Sequence, residues 1–147
     1  MGWVDGLCGK TVGLDTAPLI YYIEENPLFL PLVDPFFDAM LQGEFEDVTS
    51  TLTVTEVLVH PIQQNNTILA ATYKDILQNA AHLRTVPVTA EIAETAARLR
   101  AAHTIRTPDA IQAATAIVMK ADFFLTNDFN LSAVPNPTVL VLENLAK

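Results

Sequence analysis

The sequence predicts an α/β fold, in which helices cover both faces of a central parallel sheet of about five strands. Short runs of β-branched and apolar residues alternate with longer runs of helical spacing along the chain. Such alternation is typical of parallel strands joined by helical crossovers. The 147 residues suit one domain, 1–147, and half of them are apolar, which is enough for a substantial core. The chain contains no internal repeat or low-complexity tract.

The predicted strands are short runs bounded by turn or helix signals. They span Lys10–Leu14, Asp47–Leu52, Arg84–Val88, Phe123–Thr126 and Thr138–Leu142. Because Pro87 has no N–H to donate to a neighbouring strand, the third strand is expected at the edge of the sheet or to end there.

The predicted helices begin and end at residues with known capping preferences. Thr89 and Thr107 are expected to be N-caps, the second followed by Pro108 at the first helical position. The last helix is apolar nearly all round, which predicts that it is buried. The first predicted helix has Pro18 in its first turn and runs to about Glu25. The other predicted ranges are Pro31–Leu41 ended by Gly43, Thr53–His60 with Pro61 as a break, Asn66–Gln78, Ala90–Ala102 and Pro108–Lys120.

The charge balance restricts the function. Seventeen acidic residues against eight basic ones give a formal net charge of −9. This balance argues against tight, sequence-independent binding to a phosphate backbone. It remains compatible with an enzyme whose carboxylates are neutralised by bound cations.

The cysteine content and the apolar pattern indicate a cytoplasmic protein without a membrane segment. Cys8 is the only cysteine, so no internal disulfide can form. The N-terminus lacks the basic and apolar regions of a secretory signal. No apolar run reaches the roughly 18 residues needed to cross a bilayer.

Four acidic residues are candidates for a shared site. Asp15, Glu56 and Asp128 each follow a predicted strand, and the carboxyl ends of strands are where ligands bind in open α/β sheets. Asp109 lies at the start of the buried helix. Clustered carboxylates suit Mg²⁺ or Mn²⁺, and such ions can activate water for phosphodiester hydrolysis. Taken singly, however, each of the aspartates could also be a helix cap or a loop acid.

Four blocks of sequence, in this order and spacing, resemble the PIN-domain family. They are LDTAPLIYYIE, TVTEVL, RTPDAIQAATAI and DFFLTND, and the resemblance extends from about Lys10 to Leu142. The likeness is greatest to the VapC-type toxins of bacterial toxin–antitoxin pairs. It implies a three-layer α/β/α fold with strand order 3-2-1-4-5.

The resemblance also implies a reaction and its residues. It implies cleavage of RNA by a metal-activated water, with Mg²⁺ or Mn²⁺ as cofactor, leaving a 5′-phosphate and a 3′-hydroxyl. Relatives often have histidine where this chain has Gln112, which cannot titrate. Arg106 is favoured for contact with RNA because it lies near Asp109. The motifs assign metal binding and catalysis to Asp15, Glu56, Asp109 and Asp128, and a supporting polar role to Thr16, Thr126 and Asn127.

The resemblance further implies a VapB-type antitoxin as partner and a homodimer. The unusually apolar stretch Leu28–Phe37 is either core or a surface for such a partner. An inactive PIN-like binding or regulatory module is the alternative function. A phosphoryl-transfer enzyme with Asp15 as nucleophile is disfavoured, because Thr16 and Ala17 follow where such enzymes usually have a second acid.

Overall fold

The computed structural model describes residues 2–145, and its centre is a five-stranded sheet in which all strands are parallel. The strand order is β3-β2-β1-β4-β5, which confirms the predicted α/β fold and topology. β3 lies at an edge and ends directly before Pro87, as its proline predicts. The strands are β1 (Thr11–Leu14), β2 (Glu46–Ser50), β3 (Leu83–Val86), β4 (Phe123–Thr126) and β5 (Thr138–Val141).

Helices cover both faces of the sheet. α1 to α4 contribute side chains to the core on one face, and α5 and α6 to the core on the other. In the described part of the chain, no helix is long and apolar enough to cross a membrane. The helices are α1 (Thr16–Ile23), α2 (Leu30–Leu41), α3 (Thr51–Gln63), α4 (Thr67–Asn79), α5 (Ala90–Ala102), α6 (Thr107–Val118) and α7 (Leu142–Leu145), with 3-10 helices at Trp3–Leu7 and Phe129–Ala133.

The apolar stretch Leu28–Phe37 belongs mainly to the core. Phe36 and Phe37 are fully buried and pack edge to face. Phe29 is half-buried and stacks on Tyr21 at a centroid distance of 4.5 Å. Leu28 is exposed at 74%. The core interpretation therefore holds for the helical part of this stretch, and only its first residue is a large exposed apolar side chain.

Small side chains let α6 approach the centre of the sheet closely. A Cβ added to Gly13 of β1 would lie 2.5 Å from Cβ of Ala116. Ala110, Ala113 and Ala114 of the same helix are also buried. The prediction that this helix is buried is confirmed, and the close packing holds its first turn beside the carboxyl ends of the strands.

Several predicted boundaries are wrong. The second predicted strand extended to Leu52, but β2 ends at Ser50, whose side chain caps α3 by accepting from the N–H of Leu52. Pro61 lies inside α3 rather than ending it. The N-cap of α6 is Arg106, so Thr107 is already helical.

Pro18 lies in the first turn of α1, as predicted. The helix begins at Thr16, because the Asp15 side chain caps it by accepting from the N–H of Thr16.

Candidate active site

Four acidic side chains meet at the point where the strand order of the sheet reverses. Asp15 directly follows β1 and Asp128 lies two residues after β4, its neighbour in the sheet. Glu56 comes from the second turn of α3 and Asp109 from the first turn of α6. All four line one cleft of about 530 Å³. Crevices at such reversal points are the usual ligand sites of open α/β sheets.

Asp15 is the most buried of the four acids. Its Oδ1 accepts from the N–H of Thr16 at 2.8 Å, and its Oδ2 from the hydroxyl of Thr126 at 2.7 Å. Burial raises the pKa of Asp15 to about 6, against the lowering effect of these two hydrogen bonds. The negative charges of Asp109 and Glu56 raise the pKa further. The two hydrogen bonds thus fix the orientation of the Asp15 carboxylate, while burial raises the energetic cost of its ionised form.

Thr126 connects two of the acids. Its hydroxyl donates to Asp15 and accepts from the backbone N–H of Asp128 at 3.0 Å. The Asp128 carboxylate in turn accepts from the N–H of Asn130 at 2.9 Å, which caps the 3-10 helix that follows. The fully buried Thr126 therefore sets the spacing between the ends of β1 and β4.

Thr16 contacts Glu56. Its hydroxyl donates to Oε1 of Glu56 at 2.6 Å, which ties the start of α1 to α3. Thr16 is buried, whereas Glu56 is exposed at the mouth of the cleft. The supporting role of Thr16 stays a prediction, and this hydrogen bond is compatible with it.

Gln112 is the site residue whose position the sequence did not predict. Its Nε2 lies 2.8 Å from Thr53 Oγ1, 3.2 Å from Thr16 Oγ1 and 3.3 Å from Glu56 Oε1. Its Oε1 accepts from the Ser50 hydroxyl at 2.9 Å. Gln112 is buried, so the site contains a hydrogen-bonded amide at this position. A polar side chain within the apolar run of α6 was the signal for this role.

Asp109 is paired with Arg106. Nε of Arg106 lies 3.2 Å from Oδ2 of Asp109, and the arginine side chain is 82% exposed. The pKa of Asp109 is nevertheless raised, because burial outweighs the effect of Arg106 and the charges of Asp128 and Glu56 add to it. The arginine therefore offsets the charges of the neighbouring carboxylates but not the cost of burying Asp109.

Asn127 lines the cleft but has other partners. Its Nδ2 donates to the hydroxyl of Tyr21 at 3.2 Å, and its Oδ1 accepts from the N–H of Glu143 at 3.2 Å. Within residues 2–145, none of its hydrogen bonds reaches one of the four acids. Asn127 thus joins α1 and α7 to the end of β4 and shapes the wall of the cleft.

The four acids have the ligand type and the charge that a metal ion requires, but their present spacing does not form a metal site. Among the residues that the structure describes, no three acidic, histidine or cysteine side chains form a group that could hold a metal ion as it stands. Hard divalent cations prefer carboxylate oxygens, and four of these groups line the cleft. Burial is the main cause of the raised pKa values of Asp15 and Asp109, and the charges of the neighbouring acids add to it. The donor set is therefore of the chemical type that Mg²⁺ or Mn²⁺ prefers.

Solved structures of toxin–antitoxin proteins have the same fold. VapBC2 from Rickettsia felis, bound to a DNA fragment, is 17% identical with a TM-score of 0.69, over 89% of this chain and 98% of that chain. DNA-bound VapBC from Salmonella typhimurium is 16% identical with a TM-score of 0.69, over 91% and 98%. VapC20 of Mycobacterium tuberculosis, a Sarcin-Ricin loop cleaving toxin, is 15% identical with a TM-score of 0.68, over 85% and 95%.

The family follows from the sequence comparison. No curated protein matches this chain. The family model described as PIN domain matches residues 12–137, which include all four acids, the whole of β2, β3 and β4, and all of β1 except Thr11. The match covers far more than half of the 147 residues. The chain therefore belongs to the PIN domain family.

Proposed function

We propose that this protein is a metal-dependent endoribonuclease that hydrolyses RNA phosphodiesters, and that it is the toxin of a toxin–antitoxin pair. The observation that carries the proposal is the meeting of Asp15, Glu56, Asp109 and Asp128 in one cleft. Membership of the PIN domain family and the fold shared with VapC20 support it. The RNA substrate, the Mg²⁺ or Mn²⁺ cofactor and the toxin role are parts of this proposal.

Some of the cleft residues would bind the metal ion, and others orient those ligands. Asp15, Glu56, Asp109 and Asp128 would hold the cation, which when bound activates water and stabilises charge on the phosphoryl group. Thr126 orients Asp15 through its hydroxyl. The four acids of this cleft repel a phosphate, so cation charge in the cleft is needed to hold a phosphate there.

Metal binding is tested by thermal unfolding. We expect saturating Mn²⁺ to raise the Tm of the wild type by about 5 °C, because a ligand that binds only the folded state stabilises it. Asp109→Asn should lose most of this rise. Asp34→Asn, the same change at an exposed site on α2, should keep it. Equal rises in all three proteins would place the ion elsewhere.

RNA cleavage is tested in the same proteins. The wild type and Asp34→Asn should cut single-stranded RNA with Mg²⁺ or Mn²⁺, and a chelator should stop both. Asp109→Asn should be inactive. A wild type that binds the ion but cleaves no RNA would favour the alternative, a catalytically inactive PIN-like module.

The hydrogen bonds of Gln112 predict that it positions Glu56. Gln112→Met keeps the length of the side chain and removes its amide, so we expect activity or metal affinity to fall about 10–100-fold, as is usual for groups that orient metal ligands. Gln112→His retains an N–H donor and should recover part of this loss. Circular dichroism should show both variants folded. Full activity in Gln112→Met would remove the positioning role.

The partners follow from the same proposal. Two of the structural relatives were solved as DNA-bound VapBC assemblies. We propose a VapB-type antitoxin, a homodimer and a cytoplasmic location for this chain. Expression in a bacterial host should arrest growth, and Asp15→Asn should not. Growth inhibition that is independent of Asp15 would contradict the toxin role.

A further inference from the structure

A second cleft adjoins the one that holds the four acids. We call the cleft with the four acids the catalytic cleft. The second cleft has a volume of about 490 Å³ and shares Arg106, Asp109 and Asp128 with the catalytic cleft. Its other walls come from the end of α5 and the connection to α6, with Arg100 and His103 among them. The two clefts are therefore continuous along the surface.

The two clefts differ in the balance of their charged side chains. The catalytic cleft is lined by four acids and one arginine. The second cleft is lined by Arg100, His103 and Arg106, and the acids in its wall are the two that it shares. Its two arginines balance these two acids, so it lacks the net negative charge of the catalytic cleft. An anion beside the catalytic cleft would therefore meet guanidinium donors here with less repulsion.

Arg100 is held in a fixed position toward this cleft. Its Nε donates to the carbonyl of Ile105 at 2.9 Å, and its Nη1 to the hydroxyl of Thr107 at 2.8 Å. Two of the five N–H groups of the guanidinium are thereby used, and the others remain for a ligand. Because the side chain is already ordered, binding an anion costs it little further conformational entropy.

We propose that the second cleft is a phosphate subsite, in which Arg100, His103 and Arg106 bind a backbone phosphate of the RNA next to the one that is cleaved. This inference rests on the proposed ribonuclease function and names the residues that would place the strand. The two clefts share a wall, so neighbouring phosphates of one strand could occupy them together. Arginine suits the role because its fork matches phosphate oxygens.

Cleavage of oligonucleotides tests the subsite. RNA oligomers are lengthened one nucleotide at a time on either side of the cut, and kcat/KM is measured for each. We expect a rise of about tenfold when the phosphate for this subsite is added, on one side only. Arg100→Lys and His103→Gln should lose most of this rise. A rise of the same size in these variants would overturn the proposal.

Arg98 provides the matched control. It lies on the same helix, pairs with Glu94 and does not line the cleft. Arg98→Gln should keep the stepwise rise. Arg100 also stabilises the loop before α6 through its two hydrogen bonds, so the Tm of each variant is measured. If Arg100→Lys is unstable, the result for His103→Gln is decisive, because that substitution leaves the Arg100 hydrogen bonds intact.

Measurements of RNA binding test the phosphate subsite independently of the proposed catalytic activity. Anisotropy of a labelled 12-nucleotide RNA is measured at several salt concentrations in the presence of a chelator. Arg100→Lys and His103→Gln should bind more weakly than the wild type, and Arg98→Gln should not. If the wild type binds in this way but cleaves nothing, the ribonuclease function fails and the subsite stands. If RNA binding does not depend on these residues, the subsite fails, and an acidic segment of a protein partner becomes the better occupant.

Discussion

Asp15→Asn should lower RNA cleavage by on the order of 10³-fold and at the same time stabilise the metal-free protein. Asp15 is the most buried acid of the cleft and is oriented by Thr16 and Thr126. Asparagine keeps the size of the side chain and one carbonyl oxygen but removes the charge that would attract the ion. Initial rates at saturating Mn²⁺ measure the loss.

The gain in stability follows from the pKa of Asp15. Burial raises that pKa from 3.8 to about 6, so ionisation of the carboxyl group, which is nearly complete at pH 7, costs more free energy in the folded than in the unfolded protein. A shift of two pKa units corresponds to roughly 3 kcal/mol of destabilisation by the ionised carboxylate. Asparagine removes this cost, but its weaker hydrogen bonds cancel part of the gain. We expect the free energy of unfolding at pH 7 to rise by about 1–2 kcal/mol in urea titrations with a chelator.

The control for Asp15→Asn is Asp34→Asn, which makes the same change at an exposed position. It should leave both the rate and the stability close to those of the wild type. An Asp15→Asn protein that retains substantial activity would remove Asp15 from the mechanism. One that is inactive and also strongly destabilised would show that its carboxylate is structural.

The second large effect is expected at Asp47, outside the cleft. Asp47 is 2% exposed, and neither of its carboxylate oxygens has a hydrogen-bond partner within the described residues. It lies in β2 in register with Val12 of β1 and Leu83 of β3, both of which belong to the apolar core. Burial, and to a lesser extent the charge of Glu46, raises the pKa of Asp47 well above its usual value. A carboxyl group here opposes folding.

Asp47→Val should therefore stabilise the protein. Valine has a similar size, favours strands and has no polar atoms to desolvate. We expect the free energy of unfolding at pH 7 to rise by about 2 kcal/mol or more. Activity should not change, because Asp47 lies toward the amino end of β2 and the cleft lies at the carboxyl ends. Asp38→Val, at an exposed site on α2, should give no such gain.

The pH dependence gives an independent measure of Asp47. Since its pKa is higher in the folded than in the unfolded state, folding takes up a proton at pH values between the two. Stability should fall as pH rises above about 4, by up to 1.36 kcal/mol per pH unit for this group, until its folded pKa is reached. Asp47→Val should flatten this decline between pH 5 and 8. An unchanged slope, or a less stable variant, would indicate that the carboxylate has a partner.

The sequence by itself determined the order and type of the main elements and the location of the four acids. Phe123–Thr126 was predicted with its observed bounds, and Thr89 caps α5 as its side chain indicates. These features depend on neighbours along the chain, through strand propensity and helix capping. The acids follow strands or open helices, so local pattern and family motifs were sufficient to find them.

Only the tertiary structure decided how the side chains around those acids are paired. Gln112 bonds to Glu56 across 56 residues of sequence, and Thr126 to Asp15 across 111. Asn127 resembles a site residue in the sequence but bonds to Tyr21 and Glu143, and Asp47 is buried without a partner. Hydrogen-bond partners and desolvation depend on groups that only folding brings together. The sequence pattern therefore locates the carboxylates. The packing of the sheet and helices decides which carboxylates receive hydrogen bonds, which lie near other negative charges and which are buried without a partner.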